Sequence, residues 1–279
     1  MSELKILNGD ATAKYLGSIG TGATGDPYHN IPADFKMEVA KGNVVEHTLW
    51  NKFGYNDDVD TGAQEIIASF GGTYTPPTTA ETLTIVSSSA QDIVTTGTGI
   101  NAIVITGIDA NRLSQVEVVN MNGTTNVVTT STWLGINRVA PFLCGTGLTN
   151  AGTITITNST SGDTLAEMPV GQTVTQQAIF HVQTGYTFLA DFLLINAIKI
   201  TGGGGDPEIT VRGYVFSPVA NANILIFKSY LDTSISNSLE IKPVSPFPVS
   251  ESSVLFFTAE TNVNNTAVNI RFSGIESKN

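Results

Sequence analysis

Asp57, Asp58 and Asp60, with Asn56 beside them, put three carboxylates and an amide within five positions. Oxygen-rich groupings of this kind can bind Ca²⁺, but the later Gly and Glu of an EF-hand loop do not follow in register. An exposed acidic turn is the plainer reading. Asp206 and Glu208, after the glycines 202–205, carry a weaker version of the same signal. Gly20-Thr-Gly-Ala-Thr-Gly25 matches the dinucleotide pattern G-x-G-x-x-G. That pattern works only between a strand and a helix whose N-terminus meets the pyrophosphate, and here Asp26-Pro27 follows in place of a helix. The three histidines, His29, His47 and His181, have no i, i+4 partner and suggest no zinc helix. No G-x-S-x-G nucleophile elbow occurs. Cys144 follows Phe142-Leu143 and reads as a small buried hydrophobe. Trp50, Phe53 and Tyr55 alternate with Asn51, Lys52 and Gly54, so two of the rings share a strand face. A row of rings can stack sugars or bases, but more often it closes a core or a subunit seam. Asn122, Asn158 and Asn264 head glycosylation sequons, which mean little without a secretory signal. No residue earns a catalytic, cofactor-binding or metal-binding assignment, and no cofactor is expected. A pair of carboxylates for glycoside cleavage could come from any of the 24 acids, and sequence does not place two of them together.

The elements that hold these residues are strands. Threonine occurs 37 times, with 26 copies between Thr73 and Thr187. It is β-branched and suits a pleated, half-exposed surface. Period-two alternation predicts strands over 83–86, 102–106, 116–119 and 153–157. Asn122-Gly123 and Ser161-Gly162-Asp163 are turn signals between such runs. The apolar run 187–200 fits helix or strand by periodicity. Gly185 before it and the glycines 202–205 after it favour a strand, with those glycines as a hairpin tip. Further strands are expected over 209–216, 224–227, 238–241, 254–261 and 267–272. Pro243, Pro246 and Pro248 belong to an edge or a loop, because proline donates no ladder hydrogen bond.

The expected fold is mainly β: two β-sandwich or jelly-roll-like domains with an extended N-terminal arm. The arm takes residues 1–45, where Asp26-Pro27 and Ile31-Pro32 interrupt regular structure. A Thr-rich sandwich takes 46–176, and a second sandwich takes 177–279.

Composition narrows the function classes. The 279 residues carry 13 basic against 24 acidic side chains, a formal charge of -11. Nucleic-acid binding needs Lys and Arg to displace counterions from phosphates, so no nucleic-acid partner is expected. No apolar run reaches 18 residues and the N-terminus has no signal core, so neither a membrane partner nor secretion is expected. The single Cys fits synthesis in a reducing cytoplasm. Charged residues are only 13% of the chain, about half the usual share. A Thr, Ser, Asn and Gly surface suits packing against neighbours in an assembly.

Several blocks resemble a known family. They are Trp50-Asn-Lys-Phe-Gly-Tyr-Asn-Asp-Asp-Val-Asp-Thr-Gly62, the stretch Gly71 to Ser88 through Thr-Tyr-Thr-Pro-Pro-Thr-Thr, Asn122-Gly-Thr-Thr125, and Asn150 to Asp163. Asp10-Ala-Thr-Ala-Lys-Tyr15 and Gly25-Asp-Pro-Tyr28 fit as well. Over roughly residues 8–190 the chain resembles virion structural proteins of tailed, often marine, bacteriophages. That resemblance implies a particle component and no enzyme, with no catalytic residues to carry over. The expected role is a capsid-surface decoration, cement or head-fibre protein on the virion exterior. Its partners would be the major capsid protein and copies of itself, as a trimer. The alternatives are a tail or fibre protein binding host glycans, and a jelly-roll major capsid protein.

Overall fold

The computed structural model describes residues 34–200 and 205–279, together with the backbone of 16–19 and 29–32. A two-stranded antiparallel pair, β1 (Leu16–Ile19) with β2 (His29–Pro32), precedes helix α1 (Phe35–Ala40). Strands β3 (His47–Val59) and β4 (Glu65–Ile66) follow. Seven strands come next: β5 (Leu83–Ser87), β6 (Ile100–Ile108), β7 (Ser114–Asn120), β8 (Val127–Val128), β9 (Gly135–Cys144), β10 (Ile154–Asn158) and β11 (Thr164–Met168). The chain then forms β12 (Ile179–His181), β13 (Tyr186–Lys199), β14 (Glu208–Ser217), β15 (Ala222–Asp232), β16 (Ser238–Ile241), β17 (Phe247–Val249), β18 (Val254–Thr261) and β19 (Thr266–Lys278).

The fold is mainly β, with antiparallel sheets stacked as sandwiches. In the Thr-rich stretch, the sheet β11-β10-β5-β8 faces the sheet β7-β6-β9. Alternation along β5 and β10 puts Leu83, Ile85, Ile154 and Ile156 inside, with threonines between them half-exposed. They meet Ile103, Ile105, Val139 and the fully buried Trp133 in one core. At one end of this sandwich, the buried Asp92 carboxylate gathers four donors. Oδ1 accepts from the backbone of Ile100 at 2.8 Å and Ala151 at 2.9 Å. Oδ2 accepts from the backbone of Gly152 at 2.9 Å and from Ser87 Oγ at 2.6 Å. Charge-assisted bonds of this sort let three loops share one anchor.

The second sandwich packs β12-β18-β14-β15, with β4 also on β18, against β16-β13-β19-β3, with β17 also on β13. Phe180, Phe188, Phe257, Phe272, Ile195 and Ile270 fill its core. Its composition corrects the domain division drawn at residue 46. β3 pairs with β19 over nearly its whole length, and β4 pairs with β18. Residues 47–66 therefore belong with the C-terminal strands, and the Thr-rich sandwich is inserted between β4 and β12. Composition reports how well a segment suits a strand. It says nothing about which distant strand completes the ladder.

The glycines 202–205 are expected to tip a hairpin, but β13 and β14 lie in different sheets and form no hairpin with each other. Residues 201–204 are outside the described residues. The extended arm is also revised over 34–45. Asp34 caps α1 by accepting from the backbone of Lys36 at 3.0 Å and Met37 at 3.4 Å. Val39 and Val44 then bury against Ile275 and Leu49 of the parent sandwich. Among the described residues, no helix is long and apolar enough to cross a membrane.

Candidate functional site

The outward face of the β13-β19-β3 sheet is where the singled-out residues of β3 converge with others. Inward positions of β3 hold Lys52, Gly54 and Asn56, all buried. Outward positions hold Asn51, Phe53, Tyr55 and Asp57. The register sets Arg271 beside Phe53 and Asn269 beside Tyr55. One strand further, Leu194 stands beside Arg271 and Asn196 beside Asn269. Trp50 leaves this row. It turns inward against Phe180, at 5.1 Å between ring centroids, and donates its indole N–H to Glu276 Oε2 at 3.1 Å. Of the three rings, then, two face outward together and one closes the core.

Among the described residues, several clefts border this face. Near α1, a cleft of about 470 Å³ is lined by Lys36, Asn51, Asp191, Lys242, Arg271 and Ser273. Its charges are mostly paired: Lys36 meets Asp191 at 2.7 Å, and Lys242 meets Glu240 at 2.5 Å. At the other end a cleft of about 500 Å³ lies between the sheet face and the inserted sandwich. Phe53, Tyr55, Asp57 and Asn269 form one wall. Glu167 of β11, with Gln172 and Gln176, forms the other. Burial, and then the charge of Asp57, push the Glu167 carboxyl above its ordinary range. The same two causes, in the same order, raise the Tyr55 hydroxyl. Two carboxylates therefore face one space with two rings and three amides.

No family model and no curated protein matches this chain. Among solved structures, it is similar to the infectious bursal disease virus VP2 subviral particle at TM-score 0.23 and 11% identity, covering 84% of this chain and 72% of that one. Against the Gx strain of the same virus the TM-score is 0.19 at 9% identity, covering 82% and 70% of the two chains. TM-scores this low do not establish a common fold.

The other sequence candidates scatter. Asp57 lines the cleft just described. Asp60 instead accepts from the backbone of Asn265 at 3.3 Å, and Asn56 holds the backbone of Asp58 at 2.9 Å. Among the described residues, no group of three or more His, Cys, Asp or Glu side chains is placed to hold a metal ion. The stretch 20–25 lies outside the described residues. His47 shares a hydrogen bond with Ser277 Oγ at 3.0 Å. Cys144 packs against the Thr-rich core. Burial first, and the Asp92 charge second, push its thiol up. Asn158 is buried, which is incompatible with a glycan there.

Sequence reading missed two things. Glu167, Gln172 and Asn269 carry no local signal: the insertion brings Glu167 and Gln172 to Tyr55, and the long-range pairing of β19 with β3 brings Asn269. The polar seam between the sandwiches was also missed. Lys52, wholly buried, donates to the carbonyls of Asn137 and Ile179. Its Nζ lies 5.9 Å from the Phe180 ring centroid. Burial, with Arg138 second, lowers its pKa to about 7. His181 is buried beside it with Nδ1 unpartnered. Burial, then Lys52 and Arg112, lower its pKa to about 3. Gln177 Nε2 donates to Ile136 O at 2.8 Å and Arg112 Nη1 to Ser252 O at 2.8 Å, so the two sandwiches are joined by directed bonds.

Proposed function

We propose that this chain is a virion structural protein of a tailed bacteriophage, a decoration or cement subunit on the capsid exterior. It binds the major capsid protein and copies of itself, as a trimer, and its role is mechanical, without catalysis. The observation that carries the reading is the apolar open side of the parent sandwich. Among the described residues, β15 ends its sheet, and its eleven residues are mostly exposed. Ile224 and Leu225 are each 49% exposed and Tyr230 56%. Across the opening, β16 and β17 border the other sheet, with Phe247 and Val244 exposed. Between these edges an apolar pocket lined by Ile226, Phe227, Ile241 and Phe247 reaches down to Phe257 and Phe272.

A long apolar edge is a liability for a free monomer, because unpaired N–H and C=O groups template pairing with other chains. A subunit built to be covered has no such conflict. The low charge, the acidic balance and the resemblance of residues 50–62, 71–88 and 150–163 to phage virion proteins support the same reading. Binding that favours the assembled shell would stabilise it by mass action.

The test is quantitative mass spectrometry of purified virions with antibody labelling. Hundreds of copies over the head are expected. A copy number equal to the main shell protein would bring forward the major capsid reading. A few copies at the tail would bring forward adhesion. Absence from particles would overturn the structural role.

A further inference from the structure

We propose that the cleft between Tyr55 and Glu167 binds a neutral oligosaccharide, with the Phe53 and Tyr55 rings as its platform and the Asp57 and Glu167 carboxylates as acceptors for sugar hydroxyls. The cleft, about 500 Å³, falls in the range of ligand pockets, roughly 300–1,000 Å³. Phe53 and Tyr55 stand two apart on β3, which spaces them about 7 Å along the strand on one face. Both are half-buried, so their ring surfaces reach the cleft without being sealed in the core. A ring face is apolar and weakly negative, and suits the C–H face of a pyranose.

The polar groups fit the same ligand. Among the described residues, neither the Asp57 nor the Glu167 carboxylate has a hydrogen-bond or ion-pair partner, although the two share one cleft. At the partly buried Glu167, burial and the facing Asp57 charge both raise the cost of ionisation. Glu167 responds as expected, with its carboxyl raised by burial and by Asp57. An ionised carboxylate only accepts, so a ligand that satisfies this pair must bring donors. Sugar hydroxyls are donors and acceptors at once. Asn269 supplies an amide on the wall opposite Gln172 and Gln176. Gln176 Nε2 already donates to Gln172 Oε1 at 2.8 Å, which fixes both amides in place before a ligand arrives. Acidic sugars are disfavoured by the carboxylate pair and by the chain's net charge of -11.

The site does not depend on where the protein sits in a particle, so it is tested on the purified full chain. The probes are maltotriose, cellotriose and N-acetylchitotriose, with 3′-sialyllactose as the acidic control. Saturation-transfer NMR and calorimetric titration supply the readouts. At least one neutral trisaccharide is expected to bind with a Kd of about 1 mM or tighter. Glu167→Gln keeps the side-chain shape and Tyr55→Ala removes a ring, and each should weaken binding by about tenfold or more. Circular dichroism checks the fold of both variants, and Glu167→Gln decides the outcome if Tyr55→Ala fails to fold. The proposal is overturned if none of the three neutral sugars binds at about 10 mM, if Glu167→Gln binds as well as the native chain, or if sialyllactose binds equally well.

Discussion

Asn137 and His181 hold each other through a reciprocal pair of hydrogen bonds. The His181 backbone N–H donates to Asn137 Oδ1 at 2.7 Å, and Asn137 Nδ2 donates back to the His181 carbonyl at 2.9 Å. One side chain thus completes the backbone pairing of β12 from a strand of the other sandwich. Asn137→Ala leaves a buried donor and a buried acceptor unmet. Each unmet group costs about 1–3 kcal/mol, so a total loss of about 2–6 kcal/mol is expected. Urea unfolding followed by fluorescence measures it. An unchanged midpoint would mean that water replaces the amide at no cost.

Gly135 and Gly54 are required by close approach. A Cβ on Gly135 would lie 2.1 Å from His181 Cε1. A Cβ on Gly54 would lie 2.2 Å from the Ile67 carbonyl and 2.4 Å from the Ala178 amide. The first obstacle is a side chain and the second is backbone. Gly54→Ala is therefore expected to be the more destabilising, by more than about 3 kcal/mol, and Gly135→Ala to cost about 1–3 kcal/mol. Thermal melts of both variants test the order. The reverse order would mean that the His181 ring is more rigidly held than the backbone at Ile67 and Ala178.

Lys52 and His181 give the seam a pH dependence of known sign. Both bind protons more weakly in the folded chain, so the unfolded chain takes up more protons and stability rises with pH. Lys52 contributes between its folded value of about 7 and its ordinary 10.5. His181 contributes between about 3 and 6.5. At about 1.4 kcal/mol per decade, each contribution is at most about 5 kcal/mol. Falling pH therefore weakens the seam in two steps, one from 10.5 to 7 and one from 6.5 to 3. Lys52→Met should flatten the alkaline step and shrink the acidic step without removing it, because burial, the larger cause at His181, remains. A native and a variant curve of equal slope above pH 7 would remove Lys52 from the account.

Asp92 makes a separate prediction for the inserted sandwich. In Asp92→Asn, one acceptor oxygen becomes an NH₂ group. With Ser87 Oγ and three backbone amides all donating to the present carboxylate, some of those donors lose their partner. A loss of about 2–4 kcal/mol is expected. Hydrogen exchange should locate it, with faster exchange at Ile100, Ala151 and Gly152 and little change in β13, β14 and β19. Uniform acceleration would show that the two sandwiches unfold as one unit.

Local pattern reached far in this chain because its strands obey a period of two. Val254–Thr261 and Ser238–Ile241 match the expected strands end to end, and the run 187–200, expected as a strand from its flanking glycines, forms one over Tyr186–Lys199. Pairing over long sequence separation was not legible. Nothing in Phe53 points to Arg271, and nothing in Tyr55 points to Glu167, yet these neighbours define the candidate cleft. In the sequence Lys52 is likewise no more than a spacer between rings. Its alternation with Gly54 and Asn56 did mark an inward face, but a lysine on that face has meaning only once β9 and β12 are seen to close over it.

The apolar edge of β15 leads to the last prediction. Leu225 is half-exposed and stands at a sheet edge, so Leu225→Lys removes little buried area and should shift stability by less than about 0.5 kcal/mol. A lysine on an edge strand opposes strand addition by a second chain. If β15 is the surface covered in the assembly, the variant should remain folded and lose self-association. Sedimentation velocity on the native chain and on Leu225→Lys reads this directly. A native trimer that becomes a monomer in the variant ties the oligomer to β15. A native trimer unaffected by the lysine would move the contact elsewhere, with the exposed Phe247 side of the opening next to be tested. A native monomer that nonetheless decorates virions would leave β15 facing the capsid protein, and Leu225→Lys should then lower its copy number on the head.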